Sequence, residues 1–139
     1  MSLVLDNSVV MRWCFGDGKP EALDYAAKVA RKLRSESALV PGIWGLEVAN
    51  VLARAESRNE VTSDKSNEFL ALLKNMRIEV DPSTANHALA DTLDLARSHN
   101  LSAYDAAYLE LALREQLPLA TLDKDLRAAC HAAGAMLFA

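Results

Sequence analysis

The sequence feature that most constrains the fold is a regular alternation of short apolar runs with longer segments of helical periodicity. Apolar runs bounded by polar or turn residues predict strands, and they cover residues 3–5, 38–40, 77–80, 118–122 and 135–138. Helical patterns cover residues 20–35, 43–58, 63–75, 83–99, 102–116 and 123–133. This alternation predicts an α/β fold with a largely parallel sheet buried between helices.

The chain has 139 residues, of which 51% are hydrophobic, and this size suits one packed core. We therefore expect a single domain over residues 1–139. No apolar run approaches the length of about 20 residues that a membrane span needs, so no membrane association and a cytoplasmic location are expected. Two cysteines, Cys14 and Cys130, have neither a disulfide pattern nor metal-ligand spacing.

The charge balance is acidic, with 15 Lys and Arg against 19 Asp and Glu and a formal net charge of -4. Proteins that coat nucleic acid through their surface charge carry a surplus of Lys and Arg. The composition therefore argues against that class of nucleic-acid binder.

Three acids are expected at one edge of the predicted sheet. Asp6 follows the first apolar run, Asp123 follows the fourth, and Glu47 lies within two helical turns of the end of the second. Open parallel sheets bind their ligands outside the carboxyl ends of the strands, so these acids are candidate site residues.

Each of these acids also has a purely structural interpretation. Asp6 and Asp123 stand where a carboxylate caps a helix N-terminus. Glu47 shares a helical stripe with Asn50, Arg54 and Arg58, which is typical of an ordinary solvated face.

Asp105 is a stronger candidate because its helical neighbours at i+3, i+4 and i+7 are Tyr108, Leu109 and Ala112. A carboxylate on an apolar face is costly unless a metal or another cation pairs it. The structural alternative is a capping box with Ser102. Glu110 and Arg114 form an i, i+4 pair that predicts a different, wetter face of the same helix.

Four short motifs in this order resemble the PIN-domain nucleases, and in particular the VapC-type ribonuclease toxins of toxin-antitoxin pairs. The first is Asp6-Asn7-Ser8, and the second is the helix that carries Glu47 with Asn50 in Trp-x-x-Glu-Val-x-Asn. The others are the segment 104–108, Tyr-Asp-Ala-Ala-Tyr, and Thr121-x-Asp123. Together these motifs extend along the whole chain.

The resemblance implies a three-layer α/β/α sandwich around a mostly parallel, about five-stranded sheet. It also implies that Asp6, Glu47, Asp105 and Asp123 form an acidic pocket for Mg²⁺ or Mn²⁺ that hydrolyses RNA. Ser8, Asn50 and Thr121 match supporting positions, and the role of the additional acid Asp125 stays open. Magnesium and manganese prefer such oxygen ligands and keep several waters, and the metal can activate water for an in-line displacement.

The resemblance further implies a homodimer and a cognate antitoxin partner. Apolar residues 9–15 and 43–46 carry both tryptophans and can supply interface anchors or core packing. Arg54 and Arg58 are candidate RNA phosphate contacts because they share the Glu47 face, whereas the basic residues 28–34 equally suit a helix C-terminus. The four proposed ligands account for the whole acidic surplus, because the other 15 acids equal the 15 Lys and Arg.

Several rival functions remain open from the sequence. One is an RNA-processing nuclease of the same fold outside a toxin-antitoxin pair, and another is a non-catalytic RNA- or protein-binding module. A phosphotransfer or receiver domain would place a second acid beside Asp6, where this chain has Asn7 and Ser8.

Overall fold

Four short parallel strands form the sheet in the computed structural model, which describes all residues 1–139. The strands are β1 (Leu3–Leu5), β2 (Ala38–Val40), β3 (Ile78–Val80) and β4 (Leu119–Ala120), in the spatial order β3-β2-β1-β4. All three strand pairs are parallel. The predicted parallel sheet is therefore confirmed, and its carboxyl edge carries the ends of β1, β2 and β4.

The prediction of a fifth strand, over residues 135–138, is wrong. Leu137 forms only an isolated bridge with Leu119, where the Leu119 N–H donates to the Met136 carbonyl at 2.9 Å. Because β4 is itself two residues long, it offers the chain end little backbone to pair with.

Eight α-helices surround the sheet: α1 (Asn7–Phe15), α2 (Pro20–Lys32), α3 (Trp44–Ser57), α4 (Ser63–Lys74), α5 (Thr84–His87), α6 (Leu93–His99), α7 (Ala103–Glu115) and α8 (Lys124–Ala133). The first of them was not among the predicted helical patterns. Its residues Val9, Val10 and Met11 are buried, and it ends at Gly16, whose φ of 64° is a conformation that favours glycine.

Helices cover both faces of the sheet and create two apolar cores. Leu3 and Leu5 point into a core formed with α1 to α4, whereas Val4 between them points into a core formed with α7 and α8. This alternation follows from the two-residue period of a strand. The predicted three-layer α/β/α sandwich is confirmed.

The predicted helix over residues 83–99 is interrupted. A π-helical turn, Ala88–Thr92, separates α5 from α6, and Ala90 has the non-helical angles φ -121° and ψ -105°. The turn contains neither glycine nor proline, so helical periodicity gave no sign of the break. Both the π-helical turn and α6 pack on α7.

The pairing of Glu110 with Arg114 is confirmed, but the prediction that they mark a wet face is wrong. Glu110 is 4% exposed and accepts from Arg114 Nε at 2.8 Å. Arg114 Nη2 also donates to Asp81 Oδ2 at 2.7 Å, at the end of β3. Helical spacing could not reveal this partner, because Asp81 is 33 residues away in the chain.

Both tryptophans pack against the apolar cores while remaining partly exposed. Trp13 Nε1 also donates to the Ala26 carbonyl at 2.8 Å and so joins α1 to α2. The core-packing interpretation of the two apolar stretches therefore holds for these side chains. None of the helices has the length and apolar character needed to cross a membrane.

Candidate active site

Asp6 lies at the end of β1 and forms the buried centre of the candidate site. Its side chain is almost covered, at 5% exposed, and its Oδ2 accepts from Ser8 Oγ at 2.6 Å and from Thr121 Oγ1 at 2.8 Å. Burial raises the pKa of Asp6, and the two hydroxyls only partly oppose that shift. Although Asp6 occupies the N-cap position of α1, its side chain makes no capping bond. The capping interpretation of Asp6 is therefore wrong.

The same two hydroxyls join the ends of β1 and β4. Ser8 Oγ accepts from the Leu122 N–H at 2.9 Å, and Thr121 Oγ1 accepts from the Asp123 N–H at 3.1 Å. Each hydroxyl therefore donates to Asp6 and accepts from the backbone after β4. This arrangement orients the Asp6 carboxylate and holds Asp123 close to it.

Glu47 comes from α3, one turn after the helix begins. Its Oε1 accepts from Tyr108 Oη at 2.5 Å, and Tyr108 is fully buried on α7. Burial raises the pKa of Glu47; the Tyr108 hydroxyl opposes this shift, whereas the charges of Asp6 and Asp105 add to it. Glu47 therefore faces the other carboxylates and does not lie on an ordinary solvated face.

Asp105 stands in the first turn of α7, where Ser102 Oγ caps the helix by accepting from the Asp105 N–H at 3.1 Å. Burial, followed by the charges of Asp6, Asp123 and Asp125, raises the pKa of Asp105 to about 6. Three neighbouring carboxylates therefore disfavour the charge on Asp105.

Asp123 both caps a helix and belongs to the acid cluster. Its Oδ1 caps α8 by accepting from the Leu126 N–H at 2.9 Å, so the capping interpretation is correct for this residue. Its charge also acts on Asp105. Asp125, one residue into α8, is exposed and contributes a further negative charge to the same group.

The side chains fit a hard divalent cation by their chemistry. All of the candidate donors are carboxylate oxygens, and Glu47 Oε2 has no hydrogen-bond partner within the protein. No group of three or more His, Cys, Asp or Glu side chains is arranged closely enough to hold an ion by direct contacts alone. An ion held by these residues would therefore need water among its ligands, as magnesium commonly has.

The remaining predicted residues lie outside this cluster. Asn50 and Arg54 are exposed on α3, Arg58 is exposed directly after its end, and the side chains of all three make no hydrogen bond or ion pair. With a rise of about 1.5 Å per residue, Arg54 lies about 10 Å along the helix from Glu47, and Arg58 lies farther away.

Sequence reasoning missed two residues at the site. The sequence places Tyr108 on the Asp105 face and in the Tyr-Asp-Ala-Ala-Tyr motif, but it gives no indication that Tyr108 contacts Glu47. Arg12 lies in a pocket beside Ser8 and Asp123. Its i, i+4 spacing from Ser8 places the two on one face of α1, but residues 7–15 were not among the predicted helical patterns.

The fold and the cluster of carboxylates define an α/β/α protein with an acidic site at the carboxyl edge of its sheet. The chain belongs to the PIN domain family, whose model matches residues 3–132.

One curated relative is Ribonuclease VapC3 from Pyrobaculum aerophilum, which is 28% identical over 126 residues that cover 91% of this chain and 92% of the relative. Two solved structures share the fold. PAE2754 from Pyrobaculum aerophilum has a TM-score of 0.64 and 21% identity, with 93% of this chain and 79% of that chain covered. FitAcB from Neisseria gonorrhoeae has a TM-score of 0.64 and 20% identity, with 99% and 96% covered.

Proposed function

We propose that this protein is a metal-dependent endoribonuclease, acting as one PIN domain over the whole chain, and the toxin of a toxin-antitoxin pair. The observation that carries the proposal is that Asp105 lies close enough to Asp6, Glu47 and Asp123, which come from separate elements, for their charges to interact with its own. Carboxylates crowded in this way favour a bound cation, because it relieves their mutual repulsion. Family membership and the ribonuclease relative support the same activity.

We assign the four acids as direct or water-mediated ligands of Mg²⁺ or Mn²⁺. When bound, the ion supplies an activated water and shields the charge of the phosphate. Asp6 is held by Ser8 and Thr121, and Glu47 is held by Tyr108, so these two carboxylates are oriented before any ion or substrate arrives. The side chain that supports Asp105 is Ser102, which belongs to the same helix end and not to another element.

The RNA substrate needs cationic contacts that the acidic pocket does not offer. We retain Arg54 and Arg58 as proposed phosphate contacts, because both are exposed and unpaired, Arg54 on the helix that carries Glu47 and Arg58 directly after its end. Their distance along α3 suits nucleotides away from the scissile bond. We also propose that the protein acts in the cytoplasm, where RNA is available to it.

The proposed partners are a cognate antitoxin and a second copy of this chain. Large apolar side chains stand exposed next to two of the acids: Leu46, beside Glu47, is 74% exposed, and Tyr104, beside Asp105, is 62% exposed. Exposed apolar groups around a charged site are typical of a surface that a protein partner covers. Light scattering of the purified protein tests the dimer. Co-purification of the protein encoded by a short adjoining reading frame tests the antitoxin.

The deciding experiment is cleavage of RNA by the purified protein in Mg²⁺ or Mn²⁺, with and without chelator. Wild type is compared with Asp6→Ala and Asp105→Asn, and Asp64→Asn on α4 is the matched control because it removes an exposed acid outside the cluster. We expect loss of cleavage in chelator and in both site variants, and normal cleavage by the control. Cleavage that survives both site substitutions contradicts the assignment.

A further inference from the structure

The pocket that contains Arg12 has a volume of about 450 Å³ and borders Asp123 of the candidate site. It lies between α1 and the first turn of α2, and its lining includes Ser8 and Asp123 from the candidate site together with Arg12, Gly18 and Ala22. A volume of this size is within the range of about 300 to 1,000 Å³ that holds small ligands. The pocket therefore extends the site from Asp123 towards the loop between α1 and α2.

Arg12 is the only cation that lines this pocket, and the loop between α1 and α2 holds it in place. Its Nη1 donates to the Asp17 carbonyl at 2.9 Å and pairs with the Asp17 carboxylate at 2.5 Å. The Arg12 side chain is 24% exposed, whereas that of Asp17 is 67% exposed. The Arg12 side chain is thus mostly covered, whereas its partner Asp17 lies mostly in solvent.

The loop approaches Arg12 closely because it contains glycine. Gly18 has a φ of 110°, and a Cβ at this position would lie 3.2 Å from Arg12 Nη1. Any other residue would be strained in this conformation and would push against the guanidinium. The backbone at Gly18 therefore helps to fix the direction in which Arg12 points.

The Arg12 guanidinium keeps unused donors. Both of its contacts to Asp17 use Nη1, and neither Nε nor Nη2 donates a hydrogen bond within the protein. These two nitrogens form one edge of the planar fork, the geometry that binds two oxygens of a phosphate at once. An exposed ion pair such as that with Asp17 contributes little energy, whereas the bond to the Asp17 carbonyl comes from the backbone and does not depend on the Asp17 side chain.

We propose that this pocket is a subsite for the RNA backbone, in which Arg12 binds the phosphate next to the one that is cut. The inference rests on the proposed ribonuclease function. Asp123 and Ser8 border the pocket and also belong to the acid cluster, so a nucleotide in the pocket adjoins the reacting position. Arg12 is a binding residue here and takes no part in the bond cleavage.

The competing interpretation is that Arg12 only fastens the end of α1 to the following loop. The two interpretations differ for Asp17→Asn, which weakens the same ion pair but keeps the cation. If the role is only structural, Asp17→Asn and Arg12→Gln impair the protein alike. If Arg12 binds phosphate, Asp17→Asn leaves RNA affinity unchanged within about twofold or strengthens it, because a nearby negative charge is lost.

The test measures fluorescence anisotropy of a labelled 12-nucleotide single-stranded RNA of mixed sequence with Mg²⁺ present. All variants carry Asp6→Asn so that the probe is not cut. We compare Arg12→Gln, Arg12→Lys and Asp17→Asn with Arg31→Gln, which removes an equal charge from an exposed position on α2 outside the pocket. Thermal unfolding of each variant reports whether it is folded.

We expect Arg12→Gln to weaken RNA binding about tenfold and to lower the slope of log affinity against log salt by about 1, as for one lost phosphate contact. Arg12→Lys should fall between Arg12→Gln and the parent, and Arg31→Gln should stay within about twofold of it. Equal losses in Arg12→Gln and Arg31→Gln, or a loss in Asp17→Asn as large as that in Arg12→Gln, overturn the subsite.

Cleavage by the otherwise wild-type protein separates this inference from the function on which it rests. If wild type cleaves RNA and Arg12→Gln does so with unchanged KM and kcat, the subsite is wrong and the ribonuclease function stands. If wild type neither binds nor cleaves RNA with metal, both are wrong. A raised KM with a nearly unchanged kcat supports the subsite.

Discussion

The Tyr108 hydroxyl lies 2.5 Å from Glu47 Oε1, and this one hydrogen bond joins the middle of α7 to the first turns of α3. Tyr108 is fully buried, and burial followed by the charge of Glu47 raises the pKa of its hydroxyl, so the group stays a donor at physiological pH. The bond holds one carboxylate oxygen of Glu47 while Oε2 remains free. Tyr108 is thereby a positioning residue for the candidate site.

Replacement of this hydroxyl tests its role. We expect Tyr108→Phe to lower the free energy of unfolding by about 1 to 3 kcal/mol, since a hydrogen bond to a charged group is lost. RNA cleavage should fall about tenfold, and the metal concentration for half-maximal activity should rise, because Glu47 is no longer oriented.

Tyr25→Phe is the matched control for this variant. Tyr25 donates to the Phe138 carbonyl at 2.7 Å, outside the acid cluster, so its loss should reduce stability without changing the metal requirement. If the two variants shift the metal requirement equally, Tyr108 does not position Glu47.

Asp105→Asn should separate stability from activity. Burial and three neighbouring carboxylates disfavour the charge on Asp105, so removal of that charge should raise the Tm of the metal-free protein in chelator. The same change should abolish cleavage and reduce the gain in Tm that Mn²⁺ gives to wild type. Differential scanning calorimetry with and without Mn²⁺ measures both effects, and a lower Tm in chelator would contradict the charge crowding.

The Arg114 bridge should matter for stability and not for the chemistry. Arg114→Met leaves the carboxylates of Asp81 and Glu110 buried without their cation, which we expect to cost about 3 to 5 kcal/mol of unfolding free energy. Arg97→Met is the control, because its pair with Asp94 is exposed and should contribute about 0 to 1 kcal/mol. Urea denaturation compares the two variants. Similar losses of unfolding free energy would show that the buried bridge contributes no more to stability than the exposed pair.

The same bridge predicts an acid-dependent loss of stability. Burial raises the pKa of Asp81, but the hydrogen bonds and charge of Arg114 outweigh it and hold the pKa below its ordinary value of 3.8. The ionised Asp81 therefore stabilises the fold fully above about pH 4, and this stabilisation is lost as the pH falls through the lowered pKa. Thermal unfolding between pH 6 and pH 2 should show a shallower acid decline for Asp81→Asn than for wild type.

Much of the fold was predictable because it follows from local patterns. A buried parallel strand is a short apolar run, and four of the five predicted runs are strands. The helix α1 was missed because its residues 9–11 form an apolar run without the polar positions that mark an amphipathic period. The last run failed because pairing needs a neighbouring strand, and β4 offers only two residues.

Only part of the candidate site was predictable from the order of the elements. The places of Asp6 and Asp123 follow from the strands they end, so the order of elements was enough to find them. Whether α7 brings Asp105 to the same edge depended on how the connection after β3 packs. That segment lies on α7 instead of covering the sheet, which leaves the first turn of α7 at the carboxyl edge.

The sequence alone determined the layered α/β class, the family resemblance and the four candidate acids, because periodicity and short motifs are properties of neighbouring residues. Only the tertiary structure decided which side chains support those acids and which cation stands beside them. Tyr108 reaches Glu47 across 61 residues, and Thr121 reaches Asp6 across 115. Such partners are chosen by the packing of elements that are distant in the chain, and no local pattern records that packing.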